Sequence, residues 1–399
     1  GITVSNGGAA AISQGKDIGG NSFNLAGLAE SGTPYSAALT TTSYICGLRQ
    51  NATDRSNVAF QNAGAAGAGS ITLQVTVFDG NSSFSKVLPL IVLDPGAFNQ
   101  ISGVLASNGL SLTNGYVKVE RTSGTAPYYA YGVVNDQVNS DGSFLTPQPA
   151  STSAVTGLTL PVIVQTTTFI SEVVLANFSS QARTVNFSFV ADAITTADKT
   201  AHFSINIPAG RQQIIPDIFA YMRSNAVAGI GAAGTTIAGA LFATATGGDI
   251  SGVVLGARTS AAGGTAGGRF GLFYTAVPYG QASTTSAWVF GLQQNSENRT
   301  NLAIVNTGET DANDDTFVID LYDGATGTLK KTTDPIVLKA HGWTQIGTIL
   351  NSAPGGVQQG YAQVRRTAGN NPFITYAVIN DGAGPGQRTG DGAYIGSSQ

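Results

Sequence analysis

Residues 299–308 read "RTNLAIVNTG" and residues 55–64 read "RSNVAFQNAG". Within each copy apolar and polar side chains alternate: Val58 and Phe60 in one, Leu302 and Ile304 in the other. That is the period of a β-strand with one face buried. The alternation assigns the strand. It does not explain why Arg, a Ser/Thr hydroxyl and a closing Asn also recur, so the polar letters need a reason of their own.

The likeness spreads outward from this strand, and it counts the domains. With Arg55 laid on Arg299, residues 34–64 and 278–308 align without a gap, sharing Pro34/Pro278, Tyr35/Tyr279, Gly47/Gly291, Leu48/Leu292 and Asn62/Asn306. "VFDG" from Val77 answers "LYDG" from Leu321, and "GYVKVERT" from Gly115 answers "GYAQVRRT" from Gly360. "YGVVND" from Tyr131 answers "YAVIND" from Tyr376. A third, eroded copy lies between. "ISEVVLANFS" from Ile170 stands for the opening strand, "IPAGRQQI" from Ile207 for "LKAHGWTQI" from Leu338, and "ISGVVLGA" from Ile250 for the "YGVVND" segment. An internal repeat of this kind sets the organisation of the chain. Three bodies are predicted, at residues 44–140, 160–258 and 288–381. Connectors of similar style occupy 1–43, 141–159, 259–287 and 382–399.

Each body reads as β. "SITLQVTVFD" from Ser70, "RTVNFSFV" from Arg183 and "TFVIDLYD" from Thr316 alternate, are rich in Val, Ile, Thr, Phe and Tyr, and are broken by Gly, Asn and Asp. One short helical turn per body is predicted: around Ile101, Val104 and Leu105; around Ile346, Ile349 and Leu350; and after Pro216 at N1, with Ile218, Phe219 and Met222 facing inward. Six or seven short strands in about 100 residues is the size of an immunoglobulin-like β-sandwich. The expected fold is therefore all-β, with three tandem sandwiches and short helical turns.

Composition narrows the function. Charged residues are 11% of the chain, well below the usual ~25% of soluble domains. The net charge of −4 offers no basic surface for phosphate, so nucleic acid is not an expected partner. Hydrophobic content of 42% is enough to build cores, so the composition is not that of a disordered chain. A single cysteine, Cys46, precludes an internal disulfide; it matches Phe290 in the other copy and reads as a small buried hydrophobe. No apolar run is long enough to span a membrane. Gly1 at the start and Met222 as the only methionine suggest a processed chain.

Chemical motifs are sparse. His202 and His341 fall in different bodies, and neither "HExxH" nor "GxSxG" occurs. Asp311, Asn313, Asp314 and Asp315 in "DANDD" are a candidate oxygen set for calcium, though the Gly and distal Glu of an EF-hand loop are missing and a solvated hairpin tip is the other reading. Arg55 and Asp136, like Arg299 and Asp381, are lost together in the middle body, which predicts a charge-assisted pair across each sandwich. The alternative is two independent surface residues. Tyr128, Tyr129, Tyr131, Tyr361, Phe373 and Tyr376 are candidates for an aromatic platform for sugar rings or a protein neighbour, with about half expected in the core by alternation.

The combination "R-S/T-N-x-A", "G-Y-x-x-V-x-R-T" and "Y-x-V-V/I-N-D", closing in "DGSF" or "GDGAY", resembles tandem β-sandwich modules of large secreted bacterial proteins. It covers the first and third bodies; the middle one departs at the Arg and Asn-Asp positions. The resemblance implies a secreted, modular protein and transfers no catalytic residue.

Two functions follow as expectations. One is a non-catalytic extracellular structural subunit, polymerising with copies of itself. Four connectors around three bodies leave a spare segment, Gly1–Thr33 or residues 389–399, that could add a strand to a neighbour. The other is an adhesin or carbohydrate-binding module that contacts glycans. No cofactor is expected beyond the calcium candidate.

Overall fold

The repeated strand sits at the centre of its sheet in all three bodies, where its alternation can bury one face. The computed structural model describes residues 12–16, 27–150, 153–191, 200–263, 267–384 and 387–397, with backbone alone for 12–16 and 27–31. It is an all-β chain of antiparallel sheets arranged as three sandwiches.

In the first sandwich one sheet runs Gly142–Leu145, Tyr128–Asp136, Asp54–Asn62, Phe98–Ile101. The facing sheet runs Gln148–Pro149, Ser43–Leu48, Gly115–Ser123, Ile71–Asp79, Ser85–Val87. The second repeats this with Arg211–Ile215, Phe169–Asn177, Val253–Ala262, Arg269–Thr275 against a five-stranded sheet. The third does so with Trp343–Ile346, Asn298–Asn306, Phe373–Asp381, Gly392–Gly396 against another. Val58 and Phe60, and likewise Leu302 and Ile304, point into the cores with Leu73, Val75 and Val117, or with Phe317, Ile319 and Ala362. The stretches 141–159, 259–287 and 382–399 are more than connectors: each supplies the closing strand of a four-stranded sheet.

The polar letters of the repeat stitch the two sheets together. Near the start of the strand, Ser56 Oγ accepts from Arg49 N–H at 2.8 Å and donates to Arg49 C=O at 2.9 Å. Thr300 does the same with Gln293, at 2.8 Å each way. Ser171 Oγ accepts from Val164 N–H at 2.8 Å. At the far end the Asn side chain reaches across again. Asn62, Asn177 and Asn306 donate to the carbonyls of Leu93, Ile207 and Leu338, each at 3.0 Å. Their Oδ1 atoms accept from the N–H two residues on, Gly64 at 2.9 Å, Ser179 at 3.0 Å and Gly308 at 3.1 Å. This is the Asx turn that Asn makes through its own backbone. Buried backbone groups require such partners, and the recurring residues supply them.

The first strand of sandwiches 1 and 3 is bulged, with its register shifting between Ile45 and Leu48 and between Val289 and Leu292. Gly47 and Gly291 take φ of 82° and 76° there, a conformation glycine adopts without steric cost. The helical turns are short. Ile218–Ser224 buries Ile218, Phe219 and Met222 as expected, but Pro216 precedes the cap rather than holding N1. Asp217 is the N-cap because its carboxylate accepts from Phe219 and Ala220 N–H. Ala106–Asn108 and Ile349–Ser352 are 3₁₀ turns.

By contacts the chain forms two compact units. Pro34–Gln281 holds the first two sandwiches; Ala282–Gln399 holds the third and combines with the N-terminal strands. Those strands, Ile12–Lys16 and Gly27–Ser31, form an antiparallel hairpin, and Gly27–Ser31 runs beside Gly392–Gly396 at the edge of the third sandwich.

Candidate functional site

Within Pro34–Gln281 the two sandwiches meet face to face. The outer face of the Ser43–Leu48 sheet carries Tyr44, Cys46, Phe78 and Tyr116. It packs on Val174, Ala176, Phe178, Ile214 and Val254 of the second sandwich. Tyr44 stacks on Phe178 with ring centroids 3.7 Å apart, and Phe78 stacks on Tyr116 at 4.9 Å. Burial pushes the Cys46 thiol well above its ordinary pKa, so this cysteine is apolar filler and not a nucleophile.

Polar groups fix the register of this contact. Gln212 is buried and enters the first sandwich: Oε1 accepts from Gly47 N–H at 2.9 Å, and Nε2 donates to Asn114 Oδ1 at 2.7 Å and to Gly115 C=O at 2.9 Å. Arg49 makes a two-pronged pair with Glu172, both contacts 2.6 Å. Arg258 pairs with Asp54 at 3.1 Å and donates to Ser143 Oγ at 2.8 Å.

Beside this face, two carboxylates of the first sandwich bind backbone N–H groups of the second sandwich's closing strand. Asp136 Oδ2 accepts from Arg269 N–H at 2.9 Å, and Asp141 Oδ2 accepts from Gly271 N–H at 2.7 Å. Asp141 is fully buried, and its other oxygen has no hydrogen-bond partner. Burial pushes its carboxyl up to about 7, against the opposing pull of the Gly271 N–H and of Arg258. The folded group therefore holds its proton to higher pH than the unfolded one. Its contribution to stability is fully present below about pH 4, the unfolded pKa, and is lost as pH rises toward 7. Denaturant unfolding at pH 5 and pH 8 should show the chain losing about 1–3 kcal/mol more than Asp141→Asn over that interval. Equal losses in both proteins would refute the assignment.

The third sandwich carries the same face in a different form. By the alignment of the copies, Trp288, Phe290, Tyr322 and Tyr361 stand where Tyr44, Cys46, Phe78 and Tyr116 stand in the first. Tyr322 and Tyr361 lie opposite each other in register and stack at 4.9 Å and 3°. Trp288 lies 6.0 Å from Phe290, 5.6 Å from Tyr322 and 5.9 Å from Tyr361. Where Cys46 and Tyr116 are buried, Phe290 and Tyr361 are half-exposed. Asp320 and Arg365 lie on the same face, paired at 2.5 Å, and this contact, with the Thr332 hydroxyl, holds the Asp320 carboxyl below its usual range.

Compared with models of known protein families and with curated proteins, the chain matches none. The site rests on its own geometry.

That geometry redistributes the residues expected to matter. Arg55 and Asp136 do not meet across the sandwich. They lie near each other on adjacent strands of one sheet, where Arg55 donates to Asn135 Oδ1 at 3.3 Å. Arg299 bonds to the carbonyls of Gly382 at 2.9 Å and Gly384 at 3.1 Å, while the Asp381 carboxylate pairs with Arg388 at 3.0 Å and accepts from Thr389. Desolvation makes the Arg299 charge costly, since burial lowers its pKa, so those carbonyls matter. Asp136 and Asp381 instead close the loop before the last strand: Asp136 N–H bonds Asp141 C=O and Asp381 N–H bonds Asp391 C=O, each at 2.8 Å.

In "DANDD", Asp311 closes its own turn by accepting from Asn313 N–H at 2.9 Å. Asp315 is buried and turned to Arg366 and to the Asn371 N–H, while Asp314 is exposed. Among the described residues, no group of three or more His, Cys, Asp or Glu side chains is placed to hold a metal. Of the six platform candidates, Tyr128, Phe373 and Tyr376 are buried; Tyr128 bonds the Thr41 carbonyl at 2.7 Å and Tyr376 accepts from Trp343 Nε1 at 3.1 Å. Tyr129 and Tyr131 lie on the outer face of the first sandwich's four-stranded sheet, with ring centroids 6.3 Å apart. Tyr361 alone belongs to the aromatic cluster of the third. Its partners Trp288, Phe290 and Tyr322 are not singled out by the sequence; the alternation within their two strands is the one signal available for them.

Proposed function

We propose that the chain is a non-catalytic structural subunit, exported from the cell, that assembles with copies of itself by exchanging strands through its N-terminal segment. The observation that carries this reading is the course of Gly27–Ser31 beside Gly392–Gly396: a strand remote in sequence lies along the open edge of the last sandwich. A strand that lies against the outermost strand of its own chain without pairing to it can pair with the same edge of another copy. Residues 392–396 are committed to their own sheet, through register with Tyr376–Asn380, and so are poorly suited to be the donor. Low charge, 11% of residues, reduces repulsion between stacked copies. No helix among the described residues is long and apolar enough to cross a membrane.

Electron microscopy of the intact chain and of a form lacking Gly1–Thr33 tests this. Uniform fibres from the intact chain, absent from the truncated one, are the expected result. Separate particles at every concentration would overturn it. A second reading, an adhesin or carbohydrate-binding module, draws on the aromatic face of Trp288 and Tyr361; it predicts a monomer that binds oligosaccharides and loses them on Trp288→Ala.

A further inference from the structure

We infer that copies of the chain also dock face to face, with the aromatic face of the third sandwich receiving the outer face of a second copy's Asp54–Asn62 sheet. The inference rests on the assembly reading and names its contact surfaces. The chain already contains one such contact, between its first and second sandwiches.

The receiving surface there is the Tyr44, Cys46, Phe78, Tyr116 face, with Gly47 N–H and Gly115 C=O at its margin. Trp288, Phe290, Tyr322, Tyr361, Gly291 and Gly360 occupy the same places in the third sandwich, down to the positive φ of Gly47 and Gly291. The entering surface is the outer face of the Phe169–Asn177 sheet, whose anchor is Gln212 opposite Ala176. In the first sandwich the aligned position opposite Gln61 is Phe98. Phe98 is 55% exposed, and its neighbours Gln61 and Gln100 are exposed as well. A large apolar side chain thus stands in solvent at the position that anchors the internal contact.

The polar partners change in concert. Arg49 and Glu172, the ion pair of the internal contact, become Gln293 and Asn57 at the aligned positions. An ion pair of opposite charges is replaced by two neutral amides, and Arg55, which takes the place of Ile170 on the entering surface, is held by Asn135 Oδ1 at 3.3 Å. Four rings replace three rings and a thiol. Aromatic side chains at the centre of a contact carry most of its binding energy. Because the receiving and entering surfaces differ, the contact is head-to-tail and propagates.

The test uses the full chain and two variants, Trp288→Arg on the receiving surface and Phe98→Arg on the entering one. Both side chains lie on outer faces, and circular dichroism and thermal midpoints check that the variants fold as the parent does. By sedimentation velocity each variant should associate at least about thirtyfold more weakly than the parent. Mixed together, the two variants should form a docked heterodimer that neither forms alone, because each retains one intact surface. Folded variants that assemble like the parent would overturn the docking surfaces and leave strand exchange standing. A parent chain that stays monomeric at every concentration would overturn both. A mixture that forms no heterodimer would overturn the pairing of these two surfaces.

Discussion

Asn306→Ala is expected to destabilise the third sandwich by about 2–3 kcal/mol. The side chain is fully buried and makes two bonds that nothing nearby can replace: it donates to Leu338 C=O at 3.0 Å and accepts from Gly308 N–H at 3.1 Å. Truncation removes both and leaves a carbonyl and an N–H without partners, which costs more than the bonds themselves contribute. Collapse around the hole is hindered on the Gly308 side, where an added Cβ would already lie 2.7 Å from the His341 ring. Asn306→Asp should do no better. It keeps the acceptor but loses the donor, and it turns a charged oxygen toward the Leu338 carbonyl. For a domain of this size the loss corresponds to a fall of about 10–20 °C in the midpoint of the affected calorimetric transition. Asn62→Ala and Asn177→Ala should behave alike, because the same two bonds recur there. A shift of under about 0.5 kcal/mol in all three would mean that the Asn is not the stitch between the sheets.

This is where the sequence was most and least readable. The alternation in residues 55–64 and 299–308 was enough to place a strand, and its repetition was enough to count three sandwiches, because a period of two is a local property of the chain. The purpose of Ser56, Thr300, Asn62 and Asn306 was not local. Their partners, such as Leu93 and Leu338, lie on the opposite sheet, and nothing in a strand's own pattern says which carbonyl it will face. The Arg55–Asp136 pair failed for the same reason. Joint loss in the middle copy signals a shared setting and not a bond between the two side chains: the residues share one end of a sheet, each with a different partner. The closing strands Gly142–Leu145 and Gly392–Gly396 are short and begin in turn residues, so their local pattern is that of a connector. The aromatic face was half visible. Tyr361 stood out by its repeated "GY" motif, whereas Trp288 and Phe290 gained meaning only once their strand was seen to expose them.

Glu172→Ala is expected to weaken the contact between the first two sandwiches by about 2–4 kcal/mol. Arg49 and Glu172 are nearly excluded from solvent, with side-chain exposures of 6% and 14%. Burial by itself disfavours the Arg49 charge, and Glu172 more than offsets this, leaving the guanidinium pKa raised. Without Glu172 the same burial acts on a cation whose bidentate partner is gone, and Gly47 C=O at 3.2 Å is a poor substitute. Removing one partner of such a pair costs far more than the pair adds, because the desolvation already incurred is no longer compensated. The cost falls on the contact and not on either core, so its signature is a loss of cooperativity. Thermal unfolding that is coupled across Pro34–Gln281 in the parent should separate into two transitions in Glu172→Ala. The double substitution Arg49→Met with Glu172→Leu distinguishes this from simple loss of packing. It fills the space with apolar atoms and removes both charges, and it should recover most of the lost stability. If the double variant is as unstable as the single one, then the ion pair is needed for its bonds and not merely as a balance of charge. In that case Gln293 and Asn57 could not stand in for it between copies, and the head-to-tail contact would depend on the four aromatic rings alone.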